Sequence, residues 1–137
     1  MTGSPKETII KKILNGSEVI AVVGLSDKED RPSYRVASYL KKHGYRIIPV
    51  NPGVSEILGE KSYPDLESVP HDIDVVDIFR NSNSVPPIAK SAIARGARAI
   101  WLQEGVVSEE AARLAEEAGI DFVMDRCMLK EHSKLSL

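Results

Sequence analysis

The residues best suited to chemistry gather near position 30. Gly24, Ser26, Lys28, Arg31, Ser33 and Tyr34 combine a flexible backbone point with hydroxyls and two cations. Such a set suits an anion. Hydroxyls and free backbone N–H groups donate to oxygens, and Lys and Arg add charge. The bland alternative is a glycine turn followed by a serine that caps a helix. Further along, Val50, Asn51 and Pro52 stand together, Arg80 follows Phe79, and Gln103 and Gly105 flank Glu104. Pro52 either stiffens a loop or forms a rigid wall for a flat ring. Cys127 follows Arg126, and a neighbouring cation favours the thiolate. Its alternative is a small buried apolar residue. A ligand bearing a thiol could form a mixed disulfide with it.

Catalytic constellations are thin by comparison. His43, His71 and His132 make no His-Glu-x-x-His metal motif, and no Gly-x-Ser-x-Gly elbow occurs. His43 reads as an exposed cation at a helix C-terminus. Asp74, Asp77 and Asp125 form no evident acid–base couple. After Gly24 no glycine appears until Gly44, so the Gly-x-Gly-x-x-Gly fingerprint of dinucleotide binding is missing. Asn51 stands where an NAD enzyme usually presents Asp or Glu to a ribose. The Walker lysine pattern is also absent.

These residues need elements to hold them. Val19–Val23 is an apolar run without polar alternation, as in a strand buried on both faces. Strands are also expected at Arg46–Val50, Ile73–Phe79, Ala99–Leu102 and Asp121–Met124. Helices are expected at Thr8–Leu14, after Ser33, after Ser84 (with Pro86 and Pro87 in the first turn) and after Ser108, the serines acting as caps. Trp101 reads as core. Gly44, Gly96 and Gly119 read as helix-terminating glycines. One turn is expected at Ser55–Leu58, a short extended piece from Tyr63, and a last helix in Cys127–Leu135. Alternating strands and helices imply right-handed crossovers and a mostly parallel sheet. The expected fold is a Rossmann-like, three-layer α/β domain with five strands in the order 3-2-1-4-5. The flavodoxin-like order 2-1-3-4-5 is the alternative. Both put ligands at the carboxyl ends of the strands, where every candidate residue above lies.

The chain has 137 residues, which suits one domain. Its net charge of -2 gives no field for a nucleic acid backbone, and one cysteine allows no internal disulfide. The N-terminus, Met1–Lys12, lacks the apolar core of a signal peptide, and no stretch approaches a membrane span. A cytoplasmic protein is expected, with neither nucleic acid nor membrane as partner.

Taken together, the residues resemble the small CoA-binding-domain proteins, relatives of the N-terminal domain of the succinyl-CoA synthetase α subunit. The likeness rests on Ala21–Ser26, Arg31–Tyr34, Ile48–Pro52 with Leu58-Gly59, Asp74–Arg80, Trp101–Val106 and Asp125–Met128. It runs from about Glu18 to Leu135. The resemblance implies coenzyme A along the carboxyl edge. Gly24, Ser26, Arg31, Ser33 and Tyr34 would face the phosphates, with Lys28 as a further cation. Val50, Asn51 and Pro52 would line the nucleotide. Phe79, Arg80, Gln103 and Gly105 would border the rest, with Cys127 nearby. The expectation is a CoA or acyl-CoA binding protein without catalysis of its own, acting as a homo-oligomer or beside a larger enzyme. The alternatives are an NAD(P)-linked oxidoreductase, a subunit of an acyl-CoA ligase, or a module that reports CoA or redox state through Cys127.

Overall fold

A computed structural model describes residues 5–135, so the N-terminal reading falls outside it at residues 1–4. The elements are α1 (Pro5–Gly16), β1 (Val19–Val23), α2 (Pro32–Lys42), β2 (Arg46–Val50), β3 (Glu56–Ile57), β4 (Glu60–Lys61), β5 (Val75–Ile78), α3 (Val85–Ala94), β6 (Ala99–Leu102), α4 (Glu109–Ala118), β7 (Asp121–Val123) and α5 (Met128–Leu135). Single 3₁₀ turns lie at Leu66–Ser68 and Ser82–Ser84.

The apolar run of β1 is buried on both faces, as its lack of polar alternation requires. Ile20 and Val22 join the core under α1, α2 and α5, with Ile13, Leu40, Trp101 and Met128. Ala21 and Val23 face the other way, into a core with Val85 and Ala89 of α3 and Ala111 of α4. The result is three layers, with a parallel sheet between two sets of helices. Trp101 is fully buried, as expected.

The sheet order is β2-β1-β5-β6-β7. Over the five long strands this is 2-1-3-4-5, so the Rossmann-like class stands and the order 3-2-1-4-5 is corrected for those strands. The third strand, β5, pairs with β1 through Ile20–Val75 to Val23–Ile78. All four residues of β5 are buried, which an edge place beyond β2 would not provide. That outer place goes to Tyr63, which makes one parallel bridge to Val50. Its N–H donates to Pro49 O (3.0 Å), and its carbonyl accepts from Asn51 N (2.8 Å). Counting this piece as a strand places it third in sequence and outside β2.

Three local expectations change. The turn expected at Ser55–Leu58 is a hairpin between β3 and β4. Its two loop residues, Leu58 (φ 56°) and Gly59 (φ 77°), are both left-handed, as a tight hairpin loop of two residues demands. Ser33 does not cap α2. Arg31 takes that place in an extended conformation, because Pro32 sits at the first helical position with its φ already set. Ser84 precedes α3 but makes no side-chain cap, and Asn81 caps the preceding 3₁₀ turn by accepting from Ser84 N (3.1 Å). Ser108 does cap α4, accepting from Ala111 N, and Gly119 closes that helix at φ 75°.

Candidate functional site

Five loops leave the carboxyl edge of the sheet, and the first is the most constrained. Gly24 holds φ 87°, and its N–H donates to Val50 O (2.9 Å). A β-carbon there would stand 2.6 Å from Phe79 O and 3.0 Å from Arg80 Cδ. Glycine is therefore required twice, for conformation and for space. Beyond it the loop braces itself. Ser26 N donates to Ser33 Oγ (3.0 Å), and Lys28 N donates to Ser26 Oγ (3.1 Å). Both hydroxyls accept from backbone; Ser26 is partly exposed and Ser33 is buried.

Lys28 and Arg31 are exposed and have no ion pair among the described residues. The same loop carries the exposed carboxylates of Asp27, Glu29 and Asp30. Net charge thus gives this loop no pull on an anion, and its case rests on hydroxyls and backbone. Tyr34 packs partly into the core and keeps part of its surface exposed.

Asn51 is a latch. Its Nδ2 donates to Leu25 O (2.8 Å), and its Oδ1 accepts from Gly53 N (2.8 Å). Its carbonyl accepts from Ser62 Oγ (3.0 Å). Each end of the carboxamide makes one hydrogen bond, so the side chain braces the first two loops together. Val50 and Pro52 behave otherwise. They line a cleft of about 350 Å³ with Val23, Pro64, Leu66, Arg80, Ser84, Pro87 and Ile88. The size falls in the range of small-molecule sites, and the wall is apolar with a few polar groups. Asp65 and Glu67 also border it, and Asp65 Oδ1 caps the turn at Ser68 N (2.9 Å). Pro64, Leu66, Pro87 and Ile88 were not legible as wall. The one available signal was the Pro86-Pro87 pair, which read as a helix start.

Arg80 is the cation of this cleft. It is exposed, lies against Gly24 and lacks an acidic partner among the described residues. Phe79, beside it, packs against the core, with its N–H on Val23 O (2.9 Å).

Gln103 turns inward. It is buried, and Nε2 donates to Asp77 Oδ1 (2.7 Å). Asp77 is fully buried in β5, and its Oδ2 has no partner. Burial pushes its carboxyl up to about 7, against the hydrogen bond from Gln103. The pairing was not visible in sequence, where the two stand far apart. Asp125, at φ 60°, accepts from Gly105 N (2.8 Å), tying the last two loops together. Gly105 remains exposed at φ 85°. Trp101 Nε1 donates to Arg126 O (2.9 Å) just before Cys127. Cys127 is a half-buried free thiol packed against the core, and the Arg126 guanidinium pairs instead with Glu131 (3.9 Å).

The remaining titratable groups serve the scaffold. Asp74 Oδ2 accepts from Glu18 N and Val19 N, both at 2.9 Å, and pins the start of β1. His71 accepts from Arg46 Nη2 (3.0 Å). His43, more than the exposed cation expected of it, stacks on Tyr39 at 4.0 Å and meets His132 edge-on at 5.1 Å. Among the described residues no group of three His, Cys, Asp or Glu could hold a metal ion, and no helix is long and apolar enough to cross a membrane.

Known proteins resemble this chain in sequence and fold. The chain is 41% identical over 130 residues to the Bacillus subtilis protein YneT, covering 95% of this chain and 96% of that one. It is similar to a solved Pyrococcus horikoshii structure, with 37% identity, a TM-score of 0.92 and full coverage of both chains. It is also 29% identical over 99 residues to the ADP-forming acetate–CoA ligase II of Archaeoglobus fulgidus, spanning 71% of this chain but 15% of that enzyme. The model of the CoA binding domain matches residues 18–133, and the chain belongs to that family.

Proposed function

We propose that this chain binds coenzyme A, free or acylated, along the carboxyl edge of its sheet and has no catalysis of its own. The observation that carries the reading is Arg80, a cation with no acidic partner among the described residues, lining a largely apolar cleft directly beside the turn at Gly24. CoA joins a flat base to a charged diphosphate. The cleft between Pro52, Pro64 and Pro87 suits the base, and Arg80, with the Ser26 hydroxyl held in place through Ser33, suits the phosphates. Lys28 and Arg31 are cations at the outer end of that path. Gly105 and Cys127 border its far end, toward the thiol-bearing arm.

The family match and the ligase relatives support this chemistry over a nicotinamide reaction. Asn51 adds to that support, because it is a carboxamide braced between two loops and not the acid that a ribose site presents. No nucleophile, base and oxyanion donor converge on the cleft among the described residues. The ligase relatives are far longer than this chain, which favours action beside a larger enzyme where acyl transfer is involved.

Isothermal titration with CoA, acetyl-CoA, dephospho-CoA and NADH tests the reading. Heat with the CoA species and none with NADH is expected. Saturating NADH binding, with silence toward every CoA species, would overturn it.

A further inference from the structure

We propose that Asp77 is a positioning residue for the ligand rim: through Gln103 it decides whether the end of β6 offers a ligand a hydrogen-bond acceptor or a donor. The inference rests on the reading that CoA lies along this rim.

The geometry is a buried pair one step below the carboxyl ends of the strands. Asp77 lies between Val22 of β1 and Trp101 of β6 in register, and both neighbours are apolar. Gln103 follows β6 directly, and its backbone is held at both ends. Its N–H donates to Ile78 O (3.3 Å), and its carbonyl accepts from Val106 N (2.9 Å). Only the side chain has a choice. Nε2 points to Asp77 Oδ1 at 2.7 Å, and no protein group among the described residues donates to Oε1.

A carboxylate can only accept hydrogen bonds, so ionised Asp77 holds the NH₂ of Gln103 inward and leaves Oε1 for the rim. A protonated carboxyl can donate. With its proton directed at Oε1 the carboxamide turns over, and the NH₂ then faces the rim. The proton comes from solvent and returns to it, and no other bond changes. That proton sits on Oδ1, the oxygen that faces Gln103, and Oδ2 stays without a partner. The pantetheine arm of CoA carries amide groups that both donate and accept. The two states of Gln103 therefore differ in which of these they satisfy.

Asp77 changes state near neutrality because burial lifts its carboxyl to about 7. Burial raises its carboxyl and the hydrogen bond from Gln103 works against that rise. The layer over this face, from α1, α2 and α5, brings apolar side chains, the phenols of Tyr34, Tyr39 and Tyr45, and the Cys127 thiol. Glu131 of α5 is occupied by Arg126 and Lys134.

The test compares wild type with Asp77→Asn at pH 6 and pH 8. CoA affinity is read by calorimetry, and the Gln103 side-chain amide by ¹⁵N NMR without ligand. Wild type is expected to change affinity by roughly 3–10-fold between the two pH values, the worth of one hydrogen bond. Its Gln103 amide resonances should move with a midpoint near 7. Asp77→Asn should lose both effects, while the titration of the ligand's own phosphate stays common to the two proteins. A wild-type Gln103 signal indifferent to pH overturns the inference, and this readout needs no variant to fold. So does an Asp77→Asn protein that keeps the wild-type pH profile. Absence of CoA binding by wild type overturns the functional reading and this inference together, whereas binding with an unmoved Gln103 overturns this inference only.

Discussion

The backbone carbonyl of Phe79 lies so close to Gly24 that a β-carbon on Gly24 would stand 2.6 Å from it. The two residues end adjacent strands, and their contact sets the floor beside the cleft. Gly24→Ala must shift backbone, because the obstacle is not a flexible side-chain tip. It also forces a non-glycine residue to φ 87°. The expected cost is about 2–4 kcal/mol, strain and clash together, read as a lower urea midpoint at unchanged m. CoA affinity should fall as well, because Arg80 is displaced with Phe79.

Arg80 and the first-loop cations should separate in titrations. Arg80→Gln removes a charge at the cleft mouth and is expected to weaken CoA binding roughly 10-fold or more, the range of a charge-assisted hydrogen bond. Lys28→Ala and Arg31→Ala remove cations that share their loop with three carboxylates, so about 2–3-fold is expected for each. Their loss should also vanish at high salt, where exposed charges are screened. Equal effects at all three positions would place the phosphates on the first loop instead of beside Arg80.

Much of this architecture was legible because burial leaves a strong mark. The two-sided apolar run at Val19–Val23 and the glycine stops at Gly44, Gly96 and Gly119 marked elements within a residue or two. Strand order was less so, because β5 and the piece at Tyr63 both follow β2, and only packing decides which one lies inside. The rim was read as a set of positions at the strand ends. What each side chain does was not legible, since Asn51, Gln103 and Ser33 all look like free polar groups in sequence. Leu25 and Asp77 become neighbours of Asn51 and Gln103 only when segments from different strands meet, and Ser26 meets Ser33 only when the first loop folds back on itself.

Asn51 tests the distinction from a dinucleotide site. Asn51→Asp supplies the acid that a ribose would want, but it replaces the donor to Leu25 O with an oxygen. Two acceptors then face each other, at an expected cost of about 2–3 kcal/mol. The melting temperature should drop, and NADH should restore none of it. A variant stabilised by NADH would mean that this fold is one residue from a nicotinamide site.

Asp77 also has a stability signature. Its folded-state carboxyl is raised from 3.8 to about 7, so the folded protein binds the extra proton between those values. For this group, stability is therefore greatest at low pH and declines as pH rises through the window, with no further loss above it. Asp77→Asn removes the decline. The variant should match wild type near pH 4 and exceed it at pH 8 by on the order of 2 kcal/mol, since a buried charge is replaced by a neutral amide. Thermal melts of the two proteins across that range check the sign.

His132 works in the opposite direction. It joins α5 to α2, with Nδ1 2.9 Å from Tyr39 Oη and its ring edge-on to Tyr39, His43 and Tyr45. Burial, then the proximity of His43, holds its pKa below 6.5. The unfolded chain thus takes up the proton first as pH falls. The His132 contribution is present above the unfolded value and is lost as pH drops through the folded one. The group is partly exposed, so the loss should stay under about 1 kcal/mol. His132→Phe keeps a ring in the cluster and removes the titration. Its melting temperature should fall less steeply than that of wild type between pH 6.5 and 5. Hydrogen exchange should place the wild-type loss in α5, because His132 is part of what holds that helix to the chain, beside Met128, Leu129, Leu135 and the Lys130–Glu104 pair. Acid loosening that starts in α3 or α4 instead, with identical slopes for the two proteins, would refute the role given to this histidine.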